Sequence, residues 1–548
     1  MTLLPMDTEK GPKPSKADVA NSDNEVQAGE TETTKRGLKS RHAQMLALGG
    51  TIGTALFVSS GQTLARGGPA FILGCYCFMS IVVYTVVTAL TEIATLMPVP
   101  GSSVSYYASR VVSPSFGFAT GWLYIYSMSI LAPYEITAAS LVISYWPNSI
   151  SMGVWITIMI VVVVALNSLP VRFYGESEFW FASLKVIMMA GLLIVSIVLF
   201  FGGGPSHDRL GFRYWNDPGA ANTYILDGNT GRFLSLLSTL VLSALPFTFA
   251  PEFLILTTGE MASPRKTLPR AAKRYIYRIL FFYISSILAI TVICPSSDSA
   301  LTSGGKGAGA SPFVIGIKNA GIPILDSVIN AGILISAWSS GNSFLYMATS
   351  SLYSQARAGN APRWFLACTA SGVPYRCVIT CSLFCALAYT NLGSSSAVVF
   401  NWFVNLTNES AFISWTCCCI LHLRFRKACV TQGIDVKKDL PYTSKFQPWG
   451  SYVGLALFPF LALINGFDVF FPANWSISSF FTAYIGIPLF GMFYVAHRLC
   501  NWKDKWVLAP GEVDLKTGVD VVDEEERAEE EREGEKKGWW NGVKALWE

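Results

Sequence analysis

Gly49-Gly50-Thr51-Ile52-Gly53-Thr54 lies inside an apolar run, where a membrane-spanning helix gains nothing from three glycines. Glycine lowers helix propensity by about 1 kcal/mol against alanine. Unwound backbone is tolerated in lipid only where it lines a protein-enclosed cavity. A helix interrupted at mid-membrane is the device by which secondary transporters offer backbone N–H and C=O groups to a small zwitterion. Close helix packing, which small residues also permit, reads the same glycines another way. The rest of the chain decides between the two.

The 548 residues are 51% hydrophobic and 14% charged, where an ordinary soluble domain carries about one quarter charged residues. Apolar runs long enough to cross a bilayer recur from about residue 43 to about residue 499. The fold class expected is therefore an all-α polytopic membrane protein. Spans are expected near 43–68, 71–96, 117–146, 151–169, 178–201, 232–258, 279–295, 324–355, 376–392, 397–422, 450–471 and 474–499, twelve transmembrane helices in all. Residues 1–38 are polar and read as a disordered cytosolic tail without the apolar core of a signal peptide. The twelve-helix body is expected over 39–500, followed by a cytosolic tail over 501–548.

Lysine and arginine set the orientation. Arg265, Lys266, Arg270, Lys273, Arg274 and Arg278 follow the sixth span, and Arg424, Arg426, Lys427, Lys437, Lys438 and Lys445 follow the tenth. Both groups belong in the cytosol by the positive-inside rule, which puts both termini there as well. The tail carries an acidic run from Asp523 to Glu531 and ends in Trp539, Trp540 and Trp547 beside Lys536, Lys537 and Lys544, a pattern suited to a helix lying on the membrane face or to a disordered tail.

A second interruption is written into the sixth span at Leu245-Pro246-Phe247-Thr248-Phe249-Ala250-Pro251-Glu252. Two prolines five residues apart cannot both be absorbed by a regular helix. Paired interruptions in corresponding helices of two halves point to a transporter binding site. Most of the twelve cysteines lie inside apolar segments and read as packing residues, with neither a disulfide framework nor a metal site. His42, His207, His422 and His497 lie at span ends or in loops, so no clustered nucleophile and base argues for an enzyme, and no cofactor is expected. Asn474-Trp475-Ser476 is a glycosylation sequon in an outside loop, close to the membrane.

Ionisable residues inside spans default to a functional role. They are Glu92, Glu135, Lys185, Glu252 and Glu409. Glu92, near the cytosolic end of its span, is placed to snorkel to water. Glu135 and Glu252 each follow a proline closely, and Lys185 must pair, reach water or lose its proton. Glu409, beside Asn405 and Asn408, has no evident role from sequence.

The segment Gly49 to Phe57 resembles the first-helix signature of the amino acid–polyamine–organocation superfamily, and its fungal plasma-membrane amino-acid permeases, the yeast amino acid transporter-like branch, in particular. Met97-Pro98-Val99-Pro100-Gly101-Ser102, Gly117 to Trp122, Glu260 to Lys266, Ser340-Gly341-Asn342-Ser343 and Val399 to Asn405 agree in order and spacing. The resemblance implies a 5+5 inverted repeat plus two helices, with helices 1 and 6 broken at mid-membrane. It implies import of amino acids across the plasma membrane by proton symport and alternating access. The substrate carboxylate would meet N–H groups at Gly50, Thr51, Ile52, Gly53 and Thr54, and its ammonium carbonyls at Phe247, Thr248, Phe249 and Ala250. A fifth-helix lysine, here Lys185, would stand where sodium-coupled relatives hold the ion, with Glu135 or Glu252 as its partner in proton coupling. Ala55 and Ala250-Pro251 depart from the family pattern and bear on substrate identity. A nutrient sensor and an importer of polyamines or other organic cations are the alternatives, the latter favoured by a second acid in the pocket such as Glu409. The partners implied are the amino-acid substrate, protons and the bilayer. Ubiquitin-ligase machinery would act on the tails, with Lys10, Lys13, Lys16, Lys35 and Lys39 as acceptors and the run from Asp523 to Glu531 as recruiter.

Overall fold

The computed structural model describes residues 53–98, 103–147, 149–258, 264–302, 311–393 and 396–517. Gly49 to Ile52, the tail lysines, Glu260 and the acidic and tryptophan-rich end of the tail lie outside the described residues. The described chain is helical, with no strand among the described residues.

A π-helical turn at Ala55–Ser59 runs into the helical stretch Ser60–Leu96. That stretch is two helices, because the backbone leaves helical geometry at Gly68 (φ 73, ψ 173), a conformation open to glycine and closed to most side chains. The first, α1, spans 55–67 and the second, α2, spans 69–96. The turn between them is held by the loop that precedes the sixth span: the N–H of Ala70 donates to Ala220 O and that of Asn222 to Gly67 O. Next come α3 (Val104–Val111) and α4 (Pro114–Ile143), each entered through a serine whose hydroxyl accepts from a backbone N–H of the first turn, Ser103 from Tyr106 and Ser113 from Phe116. Pro114 at the first position of α4 loses nothing by lacking an N–H.

The following helices are α5 (Met152–Asn167), α6 (Val171–Phe200), α7 (Gly228–Leu242), α8 (Ala250–Thr258), α9 (Pro264–Ile293), α10 (Pro312–Asn319) and α11 (Leu325–Arg357). The last are α12 (Tyr375–Cys385), α13 (Ser396–Thr431), α14 (Trp449–Ile464), α15 (Ile477–Tyr484) and α16 (Gly486–Cys500). Four helical stretches among the described residues are long and apolar enough to cross a membrane by themselves, at Ala55–Leu96, Pro114–Ile143, Phe173–Phe200 and Gly228–Ile255. A fifth is the pair α15 and α16, bent by 50°. With these apolar spans the chain is a multi-pass membrane protein.

Several boundaries differ from the sequence expectation: α6 begins at Val171 rather than near 178, and α9 at Pro264 rather than near 279. The tenth span was expected to end near residue 422, yet α13 continues to Thr431, so Arg424, Arg426 and Lys427 sit on a helix rather than in a loop. Residues 501–517 were expected to open a free tail, but they pack back on the body: the N–H of Leu508 donates to Val112 O, and Val513 and Leu515 are buried.

The helices carry many hydroxyls in their buried faces, and most satisfy themselves on the carbonyl one turn back. Thr63 donates to Ser59 O, Thr91 to Val87 O, Thr120 to Phe116 O, Ser127 to Leu123 O and Ser140 to Ile136 O. Such residues let helices approach closely without an orphaned polar group. The most extensive interface joins α4 to α11, and α13 packs against α4 and α14.

Candidate functional site

Between α7 and α8 the helical path is interrupted. Leu245–Phe247 forms a single 3₁₀ turn, Thr248 is extended (φ −54, ψ 126), and Phe249 has a positive φ of 57°. Non-glycine residues held there cost about 1–3 kcal/mol. The two prolines explain the geometry, because each falls in the first turn of a new helical segment, Pro246 in the 3₁₀ turn and Pro251 in α8, where no N–H is needed. Tyr283 donates to the Pro246 carbonyl at 2.9 Å, and Thr248 Oγ1 donates to Leu245 O at 2.6 Å. Phe247 is buried between Tyr76 and Tyr283, Phe249 lies 5.5 Å from Tyr124, and Ala250 is buried.

Gly53 and Thr54, at the start of α1, meet a polar cluster drawn from α4, α6 and α11. Thr54 Oγ1 donates to Glu135 Oε2 at 2.7 Å, with both residues buried. A Cβ at Gly53 would stand 2.7 Å from Glu135 Oε1 and 3.0 Å from Ser340 Oγ, so any side chain there displaces the Glu135 carboxylate from its present place. Lys185 Nζ donates to Ser340 Oγ at 3.0 Å, and its charge interacts with those of Glu178 and Glu135. Ser339, next to Ser340, donates to Glu178, lying 3.0 Å from each carboxylate oxygen. Glu135, Glu178 and Lys185 are each no more than 2% exposed. Beside the cluster, Ser59 Oγ and Tyr134 Oη are hydrogen bonded at 3.1 Å, and Tyr134 stacks on Phe400.

Lys185, Glu135, Gly53 and Thr54 are thus brought together. Glu178 was missed by the sequence reading because it sits where the fifth span was expected to begin. Its spacing of seven residues from Lys185, two helical turns on one face, is the signal that could have found it.

Glu252 belongs to a different neighbourhood. It accepts from Ser414 Oγ at 2.6 Å, while its Oε2 is buried without a hydrogen-bond partner. It borders a cavity of about 30 Å³ with Tyr124, Ser105 and Gln355, room for a water molecule. On the other side of the interruption, a basin of about 180 Å³ is lined by Gln62, Arg66, Asn401, Trp402, Asn405 and Asp468 among others. Arg66 donates to Ser238 Oγ at 2.8 Å and stacks over Tyr224, whose hydroxyl donates to Asp468.

Two intramembrane acids have structural partners. Glu409 accepts from the N–H groups of Gly486 at 2.9 Å and Ile487 at 3.3 Å, and so caps the start of α16. Glu92 does not snorkel: it is fully buried, accepts from Arg426 Nε and Nη2 at 3.0 Å each and from Ser444 N at 2.8 Å, and lies 2.8 Å from His422 Nε2. A bidentate guanidinium makes such burial tolerable where water is absent. Among the described residues, no cluster of histidine, cysteine and acidic side chains could hold a metal ion.

Comparison with known proteins adds the lineage. The family model for amino acid permeases matches residues 42–507. The chain is 44% identical to the proline-specific permease of Emericella nidulans over 97% of its own length and 98% of that protein's. It is 43% identical to the proline-specific permease of Saccharomyces cerevisiae, covering 92% of this chain and 81% of that one. With the dicarboxylic amino acid permease of the same yeast it shares 39% identity, over 95% of this chain and 87% of that one. The match spans both the interrupted segment at 245–250 and the residues gathered around Lys185, and on it the chain belongs to the amino acid permease family.

Proposed function

We propose that this protein imports a small neutral amino acid, proline first, across the plasma membrane by proton symport and alternating access. The observation that carries the reading is the buried meeting of Thr54, Glu135, Lys185 and Ser340, contributed by α1, α4, α6 and α11. A transporter needs ionisable groups at the membrane interior that can change charge as the site changes sides. The interruption at 245–250 frees carbonyls for the ammonium, and the resemblance assigns the carboxylate to N–H groups of Gly50 to Thr54. The substrate carboxylate takes the N–H groups and its ammonium the carbonyls near Phe247, Thr248, Phe249 and Ala250.

Lys185 serves as the fixed cation that makes sodium unnecessary, with Glu135 as its protonatable partner. Glu252, bordering the small cavity beyond the interruption, serves on the release side. The fold reading is twelve spans in a 5+5 inverted repeat plus two, with spans one and six broken, both termini cytosolic, and the permease body at 39–500 between tails at 1–38 and 501–548, the latter docked on the body over 506–517. Proline is favoured because the two proline-specific relatives share more sequence with this chain, 44% and 43%, than the dicarboxylic one, 39%. The acid that would have favoured a polyamine, Glu409, is occupied as the cap of α16.

The test is uptake of radiolabelled L-proline in a transport-deficient yeast, with competition by unlabelled lysine, glutamate, γ-aminobutyrate and spermidine. Competition confined to proline and close neutral analogues supports the reading; inhibition by spermidine with indifference to proline overturns it.

A further inference from the structure

We infer that Glu178 is a second proton site of this transporter, standing on the release side of Lys185 and receiving the proton that Glu135 carries in. The inference deepens the proton-symport reading and rests on it. Its ground is the arrangement of two carboxylates around one ammonium in a water-excluded core. Adjacent serines of α11 divide the cluster: Ser340 Oγ accepts from Lys185 and flanks the Gly53 approach together with Glu135, while Ser339 Oγ donates to Glu178.

Charge balance gives the cluster its function. With Glu135 and Glu178 both ionised and Lys185 protonated, the group bears a net negative charge, which is costly away from water. It is neutral when one carboxylate holds a proton. The cluster therefore stores one proton with two places to keep it. In the transfer, the Glu135 O–H bond breaks and its proton passes to Lys185 as Lys185 gives an N–H proton to Glu178. Lys185 ends as an ammonium, Glu135 as a carboxylate and Glu178 as a carboxylic acid. No net charge is created, and the proton then leaves Glu178 for water.

Direction follows from helix geometry. Side chains on a helix lean toward its N-terminus, so Lys185 leans back along α6 toward the turn that carries Glu178. Seven residues and about 10 Å of rise separate the two Cα atoms on one face. Glu178 lies seven residues from Val171, at the end of α6 nearer the cytosol in the proposed topology. The charged group it faces is Lys185 on its own helix. From the elements packed on α6, α11 presents the Ser339 and Ser343 hydroxyls to Glu178, α5 carries no charged residue, and Ser286 of α9 lies against Met189, three turns further along α6.

The experiment compares the full-length wild type with Glu178→Gln and Glu178→Asp in proteoliposomes, using radiolabelled L-proline. Two readouts are taken: accumulation driven by an inward pH gradient, with proton entry followed by an internal dye, and proline counterflow without a gradient. The inference predicts that Glu178→Gln keeps counterflow near wild type but loses gradient-driven accumulation and proline-induced proton entry, and that Glu178→Asp recovers both in part. A Glu178→Gln protein that still accumulates proline against its gradient overturns the inference. So does one that loses counterflow together with accumulation, since that is the signature of a structural role. A wild type that accumulates proline without moving protons overturns instead the symport reading beneath it.

Discussion

Gly53 is where a single hydrogen in place of a side chain decides the geometry of the site. A methyl group there would meet Glu135 Oε1 at 2.7 Å and Ser340 Oγ at 3.0 Å, pushing apart the groups that hold Thr54 and Lys185. Overpacking of this kind costs about 1–3 kcal/mol, which corresponds to about 5- to 150-fold in affinity or rate if it falls on the working conformation. Gly53→Val is therefore expected to lose proline uptake by at least that factor while reaching the cell surface in normal amounts. Normal uptake at normal abundance would remove the close approach from the account. Some of this was legible in the sequence: a charge in an apolar run stands out, so Lys185 and Glu135 could be singled out. Nothing local links Lys185 to Ser340, 155 residues away, or Glu178 to Ser339, 161 residues away, and only the resemblance set the span-eight hydroxyls of Ser339, Ser340 and Ser343 beside the lysine. Glu92 was misread for the same reason, since the Arg426 that holds it lies 334 residues away.

At the scale of elements, the apolar periodicity placed most helices well, and the proline pair announced the interruption between α7 and α8. What it could not announce was the use of side chains to finish helices. Glu409 lies in α13 yet caps α16, whose first N–H groups would otherwise be buried without an acceptor. An unsatisfied buried donor costs about 1–3 kcal/mol. Glu409→Ala is accordingly expected to lower thermal stability in detergent by that order while leaving the ranking of competing substrates unchanged; a changed ranking would return Glu409 to the binding site.

The stretch 506–517 is a second such device, docking on α3 and α13. Arg110 pairs with Asp514 at 3.1 Å, and Gln432 Nε2 donates to Pro510 O and Val513 O. Burial pushes the Asp514 carboxyl up, but hydrogen bonds from Thr517 and Lys516 together with the Arg110 charge outweigh it and hold the group well below the usual range. A depressed carboxylate stabilises above its unfolded pKa of about 3.9 and loses that contribution as pH falls toward its folded value. The protection factors of amides over 506–517, their exchange corrected for the intrinsic pH dependence, are thus expected to stay constant from about pH 8 to pH 5, with Asp514 ionised throughout. Protection that falls within that range would show that another group holds the strap.

Among the described residues, most intramembrane charges are either tied off or gathered at one place, with Glu252 apart beside its own small cavity. Glu92 and Glu409 are committed to Arg426 and to α16, whereas Glu135, Glu178 and Lys185 share one buried cluster beside the first helix and the α7–α8 interruption. On the proposed symport reading, the cluster changes its protonation as the site is opened to one side or the other, and so couples a proton to the substrate. A fixed ammonium also repels sodium from the same place. The most direct measurement is radiolabelled L-proline uptake by the wild type and by Lys185→Ala, at equal surface abundance, with an inward pH gradient imposed or collapsed and with sodium replaced by choline. The account predicts wild-type uptake that follows the pH gradient and ignores sodium, and a Lys185→Ala protein that no longer responds to the gradient. Uptake that requires sodium, or a Lys185→Ala protein still driven by the pH gradient, would contradict it.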